Sequence, residues 1–130
     1  MLINIVLNFL LGNIMSITIY HNPRCSKSRQ TLALLEERGL TPIIIKYLEQ
    51  TPSSEELQQL YNLLGLHSVR EMMRTKEADY KTLSLGNNEV SDNALFAAMA
   101  NHPKLIERPI VVVNNKAAIG RPPEHVLDIL

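Results

Sequence analysis

Cysteine is almost missing from this chain of 130 residues: Cys25 is the only one. A single thiol excludes an internal disulfide and any cysteine-rich zinc site, and it agrees with a reducing, cytoplasmic setting. It also leaves no second sulfur in the chain to pair with the first. Charge of one sign is equally lacking, with 13 basic residues against 13 acidic ones. No global field therefore draws the chain to nucleic acid or to an anionic membrane, and any anion binding must be local. His67, His102 and His125 have no partner at metal-ligand spacing, so no metal is expected and the three read as structural or solvated. A membrane span needs about 18 or more consecutive apolar residues. The apolar opening, residues 1–15, falls short of that, and it lacks the basic start and small-residue cleavage site of a signal peptide. Met15 reads as the natural start, with residues 1–15 an upstream extension outside the domain.

What remains, residues 16–130, suits one domain with one hydrophobic core. Ser16–Tyr20 is rich in β-branched and aromatic residues and predicts a buried strand. Residues 27–38 are good helix formers with Leu32 and Leu35 on one face, and Gly39 stands where a helix-ending glycine belongs. The apolar run 42–47 is a second strand, which completes a βαβ unit with parallel strands. Thr51-Pro52 reads as a helix start, and Leu57, Leu60, Tyr61 and Leu64 form one stripe that ends near Gly65. Ser68 with Glu71 looks like a capping box opening a short helix that carries Arg74. Ser91-Asp92 opens another helix, through Leu95, Phe96 and Met99 to His102-Pro103. Residues 110–113 and 116–119 make a hairpin about Asn114-Asn115, and a final helix is expected over residues 124–130. A βαβ unit, a helical insert and a ββα unit predict an α/β, thioredoxin-like fold with a four-stranded mixed sheet. In such folds the proline opening the third strand faces the first helix's N-terminus and often has a cis bond; Pro109 stands in that place.

The chemistry centres on Cys25. It follows a strand and precedes a helix, where unpaired backbone N–H groups carry about half a positive charge, and Arg24, Lys27 and Arg29 lie within four residues. Each favours the thiolate. A buried, inert thiol is the competing reading, but a polar, proline-containing loop is a poor place for one. A phosphatase-type Cys-x5-Arg loop is excluded by Thr31, and a dithiol redox pair by Ser28. Arg74, Arg108 and Arg121 form a second constellation that this topology can bring to the cysteine loop, where paired N–H donors suit a tetrahedral oxyanion. Taken singly, each is more readily a solvated surface residue. His21 either tunes the thiol or fixes the loop, and Ser28 either bonds the thiolate or caps backbone. Met72, Met73 and Met99 read as core fillers.

Four blocks of sequence, residues 19–29, 47–49, 105–111 and 119–124, resemble the ArsC family of glutaredoxin-coupled arsenate reductases, most closely its YfgD-like branch. The resemblance implies that Cys25 is the nucleophile, that Arg74, Arg108 and Arg121 bind the oxyanion, and that His21 and Ser28 lower the thiol's pKa. It further implies thiolate attack on arsenate to give a covalent Cys25 adduct, attack on that adduct by glutathione as co-substrate, and resolution by glutaredoxin to release arsenite, with no bound cofactor. The chain departs from the family's arsenate reductases at Ser26-Lys27, where they have Gly-Thr. Two other readings share the fold. One is an Spx-like regulator that binds RNA polymerase, whose usual second cysteine is replaced by Ser28. The other is a thiol transferase or adaptor that acts on glutathionylated substrates and ignores arsenate.

Overall fold

The computed structural model describes residues 16–130, so the expected extension over residues 1–15 lies outside the described residues. Strand β1 (Ile17–His21) leads into helix α1 (Ser26–Glu37) and strand β2 (Ile43–Lys46), followed by helix α2 (Ser54–Leu64), a 3₁₀ turn (Val69–Met72), a short helix α3 (Ala78–Thr82) and helix α4 (Asp92–Asn101). A 3₁₀ turn (Pro103–Leu105), strands β3 (Ile110–Val113) and β4 (Lys116–Ile119) and a 3₁₀ helix (Pro123–Ile129) complete the described chain. The sheet order is β2-β1-β3-β4. Strand β1 runs parallel to β2 and antiparallel to β3, which pairs antiparallel with β4, giving the mixed four-stranded sheet expected of a thioredoxin-like fold.

Alternation along the central strands builds a core on each face of the sheet. Ile17 and Ile19 of β1, with Val111 and Val113 of β3, pack against Leu35 of α1 and Val126 of the C-terminal 3₁₀ helix. Tyr20 and Ile110 face the other way, into a larger cluster with Leu57 and Leu60 of α2, Met72, Met73, and Leu95, Phe96 and Met99 of α4. The methionines thus fill the core where the sequence put them. Among the described residues, edge strand β2 pairs only with β1 and leaves Ile43 and Ile44 exposed.

Several local expectations hold, and four are corrected. Gly39 follows α1 at φ +76°, a backbone that β-carbon-bearing residues avoid, and Asn114 turns the hairpin at φ +54°. Thr51 does not cap α2. Ser53 does, its Oγ accepting from the N–H of Glu56 at 3.1 Å, because the Ser-x-x-Glu spacing starts there. Residues 68–71 form no reciprocal box: the Ser68 hydroxyl takes the N–H of Arg70, while Glu71 takes that of His67, and the turn winds as 3₁₀ and stops at Met72, so Arg74 follows it in extended chain and not on a helix. The C-terminal segment is also 3₁₀ instead of α-helical, since Pro122 and Pro123 supply no N–H at its start and the run is short. Helix α3 was not foreseen. It has no buried face, and the loop after it is held by the Arg70 guanidinium, which donates to Leu85 O at 2.8 Å and Asn87 O at 3.0 Å and reaches Tyr80 Oη at 3.2 Å.

Gly120 joins the two halves of the molecule. A β-carbon there would stand 2.5 Å from Thr31 Oγ1 and 2.9 Å from Pro109 Cγ, so α1 approaches the end of β4 only because the side chain is absent. Thr31 cannot swing aside, since it is buried and its hydroxyl is bonded to Lys27 O at 2.8 Å. Gly120→Ala is expected to lower unfolding free energy by about 1–3 kcal/mol, the usual cost of overpacking, as read from chemical denaturation.

Candidate active site

Residues 22–25 form a turn in which the Cys25 N–H donates to Asn22 O at 3.0 Å, while the Asn22 side chain accepts from the N–H of Arg24 at 3.0 Å. Cys25 then occupies the N-cap position of α1, and the Arg29 N–H donates to its carbonyl at 3.0 Å. The loop is braced from behind. Ser28, fully buried, places its Oγ 2.7 Å from His21 Nδ1 and accepts from the N–H of Asn22 at 3.0 Å. Arg29 adds a third tie, donating from Nη1 to Pro23 O at 2.9 Å. The hydroxyl of Ser28 is therefore spent on the loop, and it is the backbone of Ser28 that serves the sulfur.

Burial by itself would raise the Cys25 pKa, yet the thiol is held below its ordinary value. The N–H groups of Ser28 and Lys27 and the guanidinium of Arg108 together outweigh the desolvation. His21 contributes no positive charge to this balance. Burial, followed by the nearby Lys46 and Arg29, pushes its pKa down, so at neutral pH it is a neutral ring that fixes the loop.

Two of the three arginines reach the sulfur directly. Arg121 Nη1 lies 4.0 Å from Cys25 Sγ and also donates to Arg108 O at 3.0 Å. Arg108 directs its side chain at the thiolate, and its Nε is buried with no hydrogen-bond partner among the described residues. The Arg108–Pro109 peptide bond is cis, as is Arg121–Pro122. Arg74 arrives by a different route. The segment after the first 3₁₀ turn pairs with the approach to β3: the N–H of Arg74 donates to Leu105 O at 2.7 Å and that of Glu107 to Met72 O at 2.9 Å. This places Arg74 beside Glu107, with Arg74 Nη1 and Arg121 Nε each 3.7 Å from Glu107 Oε1. Arg74 Nε also meets Glu77 at 3.1 Å. Arg74, Arg121 and Glu107 line a cleft of about 270 Å³ together with Met73, Thr75 and Lys76. A neighbouring cavity of about 520 Å³ shares Arg121 and Glu107 and runs on to Leu64, Ala117 and His125.

Sequence reasoning passed over two residues of this site. Tyr47 is buried beside Asn22, Arg108, Cys25 and Arg74, and desolvation pushes its phenol up despite the cation next to it, so it stays neutral under the loop. Only its place in a block of family resemblance hinted at this. Glu107 offers no signal in the run into Pro109, since no spacing rule reveals that a carboxylate stands between two arginines distant in sequence. Arg24 and Lys27 remain exposed. Among the described residues no group of histidine, cysteine, aspartate and glutamate is placed to hold a metal, and no helix is long and apolar enough to cross a membrane.

The family model described as ArsC family matches residues 20–129, nearly all of the described chain. The chain belongs to the ArsC family. An arsenate reductase of Haemophilus influenzae is 57% identical over 116 residues, covering 89% of this chain and 100% of that protein. The YfgD protein of Escherichia coli is 54% identical over 114 residues, covering 88% of this chain and 96% of its own. Among solved structures, an arsenate reductase from Vibrio cholerae superposes with a TM-score of 0.89 at 67% identity, over 91% of this chain and 100% of that one. An ArsC-related protein from Bacteroides fragilis, at 26% identity, still gives 0.72 over 82% of this chain and 91% of its own. The ArsC fold is thus retained well beyond close sequence likeness.

The site makes two expectations testable. The pH midpoint of Cys25 alkylation by iodoacetamide should lie below that of an ordinary thiol, and Arg108→Ala should move it upward; an unmoved midpoint would remove Arg108 from the balance. For His21, the unfolded chain gains its proton at a higher pH than the folded one. Stability is therefore full above the ordinary histidine range and falls as pH drops through it. Thermal melts of wild type and His21→Asn should diverge over that acidic window, with the variant losing the His21 component of the decline.

Proposed function

We propose that this ArsC-family protein reduces arsenate, using Cys25 as nucleophile and Arg74, Arg108 and Arg121 as the oxyanion clamp. The observation that carries the reading is the pairing of an activated sulfur with an unsatisfied donor: Arg108 faces Cys25, and its buried Nε has no partner among the described residues. A buried donor left unpaired costs about 1–3 kcal/mol. The relatives named arsenate reductases supply the identity of the oxyanion.

In this scheme the thiolate of Cys25 attacks arsenic, an S–As bond forms, and an arsenate oxygen leaves as water after taking up protons. Arsenic is still pentavalent at that point. The guanidinium groups spread the charge of the crowded intermediate, and the loop braced by Ser28 and His21 keeps the sulfur in line. Reduction by two electrons then requires a second thiol, because one S–S bond must form for each As(V) that becomes As(III). The chain has no second cysteine. Glutathione is the thiol we assign to this step, its sulfur bonding to Cys25 as the S–As electron pair stays on arsenic, and glutaredoxin regenerates Cys25 from the mixed disulfide. The scheme calls on no bound cofactor.

Arsenite production from arsenate, with glutathione, glutaredoxin and NADPH-driven recycling, is the direct assay. Cys25→Ser should abolish it. Arg108→Ala and Arg121→Ala should each lower kcat/KM by about 10²–10³-fold, the usual cost of a lost oxyanion donor, with a smaller effect on thermal stability. Turnover of a glutathionylated disulfide substrate but not of arsenate would replace this reading with that of a thiol transferase.

A further inference from the structure

Glu107 is an odd neighbour for an oxyanion. Its Oε1 accepts from the N–H of Arg108 at 3.2 Å and lies 3.7 Å from both Arg74 Nη1 and Arg121 Nε. Its side chain also lines the cleft that those two arginines flank. An ionised carboxylate only accepts hydrogen bonds. Against it, a bare oxyanion oxygen presents acceptor to acceptor and is repelled, whereas an oxygen that keeps its proton donates.

We propose that Glu107 determines which oxyanions enter, admitting tetrahedral anions that retain a proton, such as arsenate and phosphate, and rejecting the fully deprotonated sulfate type. The inference rests on the oxyanion reading above and deepens it. Formal charge leaves the contact with Glu107 to make the choice. Arg74 and Arg121 line the cleft with Glu107, while Glu77 pairs with Arg74. The remaining charged residue lining the cleft is Lys76. Hydrogen arsenate and hydrogen phosphate carry two charges as sulfate does, so net charge does not separate them and the hydrogen bond from ligand to Glu107 is the decisive contact. Hydrogen bonds to charged groups are worth enough to shift binding by about tenfold or more.

Protection of Cys25 from iodoacetamide, measured on the full chain at neutral pH and constant ionic strength, reads anion binding without turnover. In wild type, arsenate and phosphate should slow alkylation at concentrations about tenfold or more below those at which sulfate does. Glu107→Gln, whose amide can donate to a bare oxygen, should close that gap. Two results overturn the inference: sulfate protecting wild type as well as arsenate does, or Glu107→Gln weakening all three anions by one common factor, which is what a carboxylate that merely holds the arginines together would give. The wild-type comparison stands even if the variant fails to fold. Protection by none of the three anions would instead remove the oxyanion reading itself, and this inference with it.

Discussion

Like charges resist being gathered, and the site described here depends on overcoming that resistance for three guanidinium groups. Arg121 is held by the carbonyl of Arg108, and Arg74 by backbone pairing of residues 72–74 with 105–107. Glu107 stands between the two outer arginines, and Glu77 flanks Arg74. Repulsion that would scatter the side chains is offset by acceptors built into the backbone and by two carboxylates. The cations then stay together before any ligand arrives, so little reorganisation is left for the moment of reaction.

The sulfur is governed by a related balance. Partial burial would keep the thiol protonated, and the amides at the start of α1 together with Arg108 reverse that preference. Those amides are available because Cys25 takes the N-cap position, where the first N–H groups of the helix have no partner within it. The loop that sets this geometry is fixed by neutral, buried groups, Ser28 and His21, with Tyr47 beneath. Rigid support comes from side chains and electrostatic activation from backbone amides and Arg108, and Ser28 joins the two, its hydroxyl bracing the loop and its amide serving the sulfur.

Much of the architecture was legible because it is local. The alternation of Ile17, Ile19, Val111 and Val113, the helical stripe of Leu57 and Leu60, and the Asn114 turn each announce an element within a few residues. Boundaries went astray where two short signals competed, as Thr51 and Ser53 did for the start of α2, or where polar residues make a helix with no buried face, as in α3. Arg70 shows the limit at the site: from sequence it is no different from Arg74 four residues on, yet it ties down a loop while Arg74 enters the cleft.

By itself the sequence determined that a single sulfur stands at a strand-to-helix junction among cations, in an α/β domain of ArsC type with no second thiol to complete a redox pair. These are properties of neighbouring residues and of composition, so chain order is enough to reveal them. Only the tertiary structure decided which cations face the sulfur, that Ser28 serves through its amide while its hydroxyl braces the loop, and that Glu107 lies inside the arginine cluster. Those outcomes rest on contacts between segments dozens of residues apart. Gly120 lets α1 close on the end of β4, and residues 72–74 pair with 105–107, and no local pattern encodes where such surfaces meet.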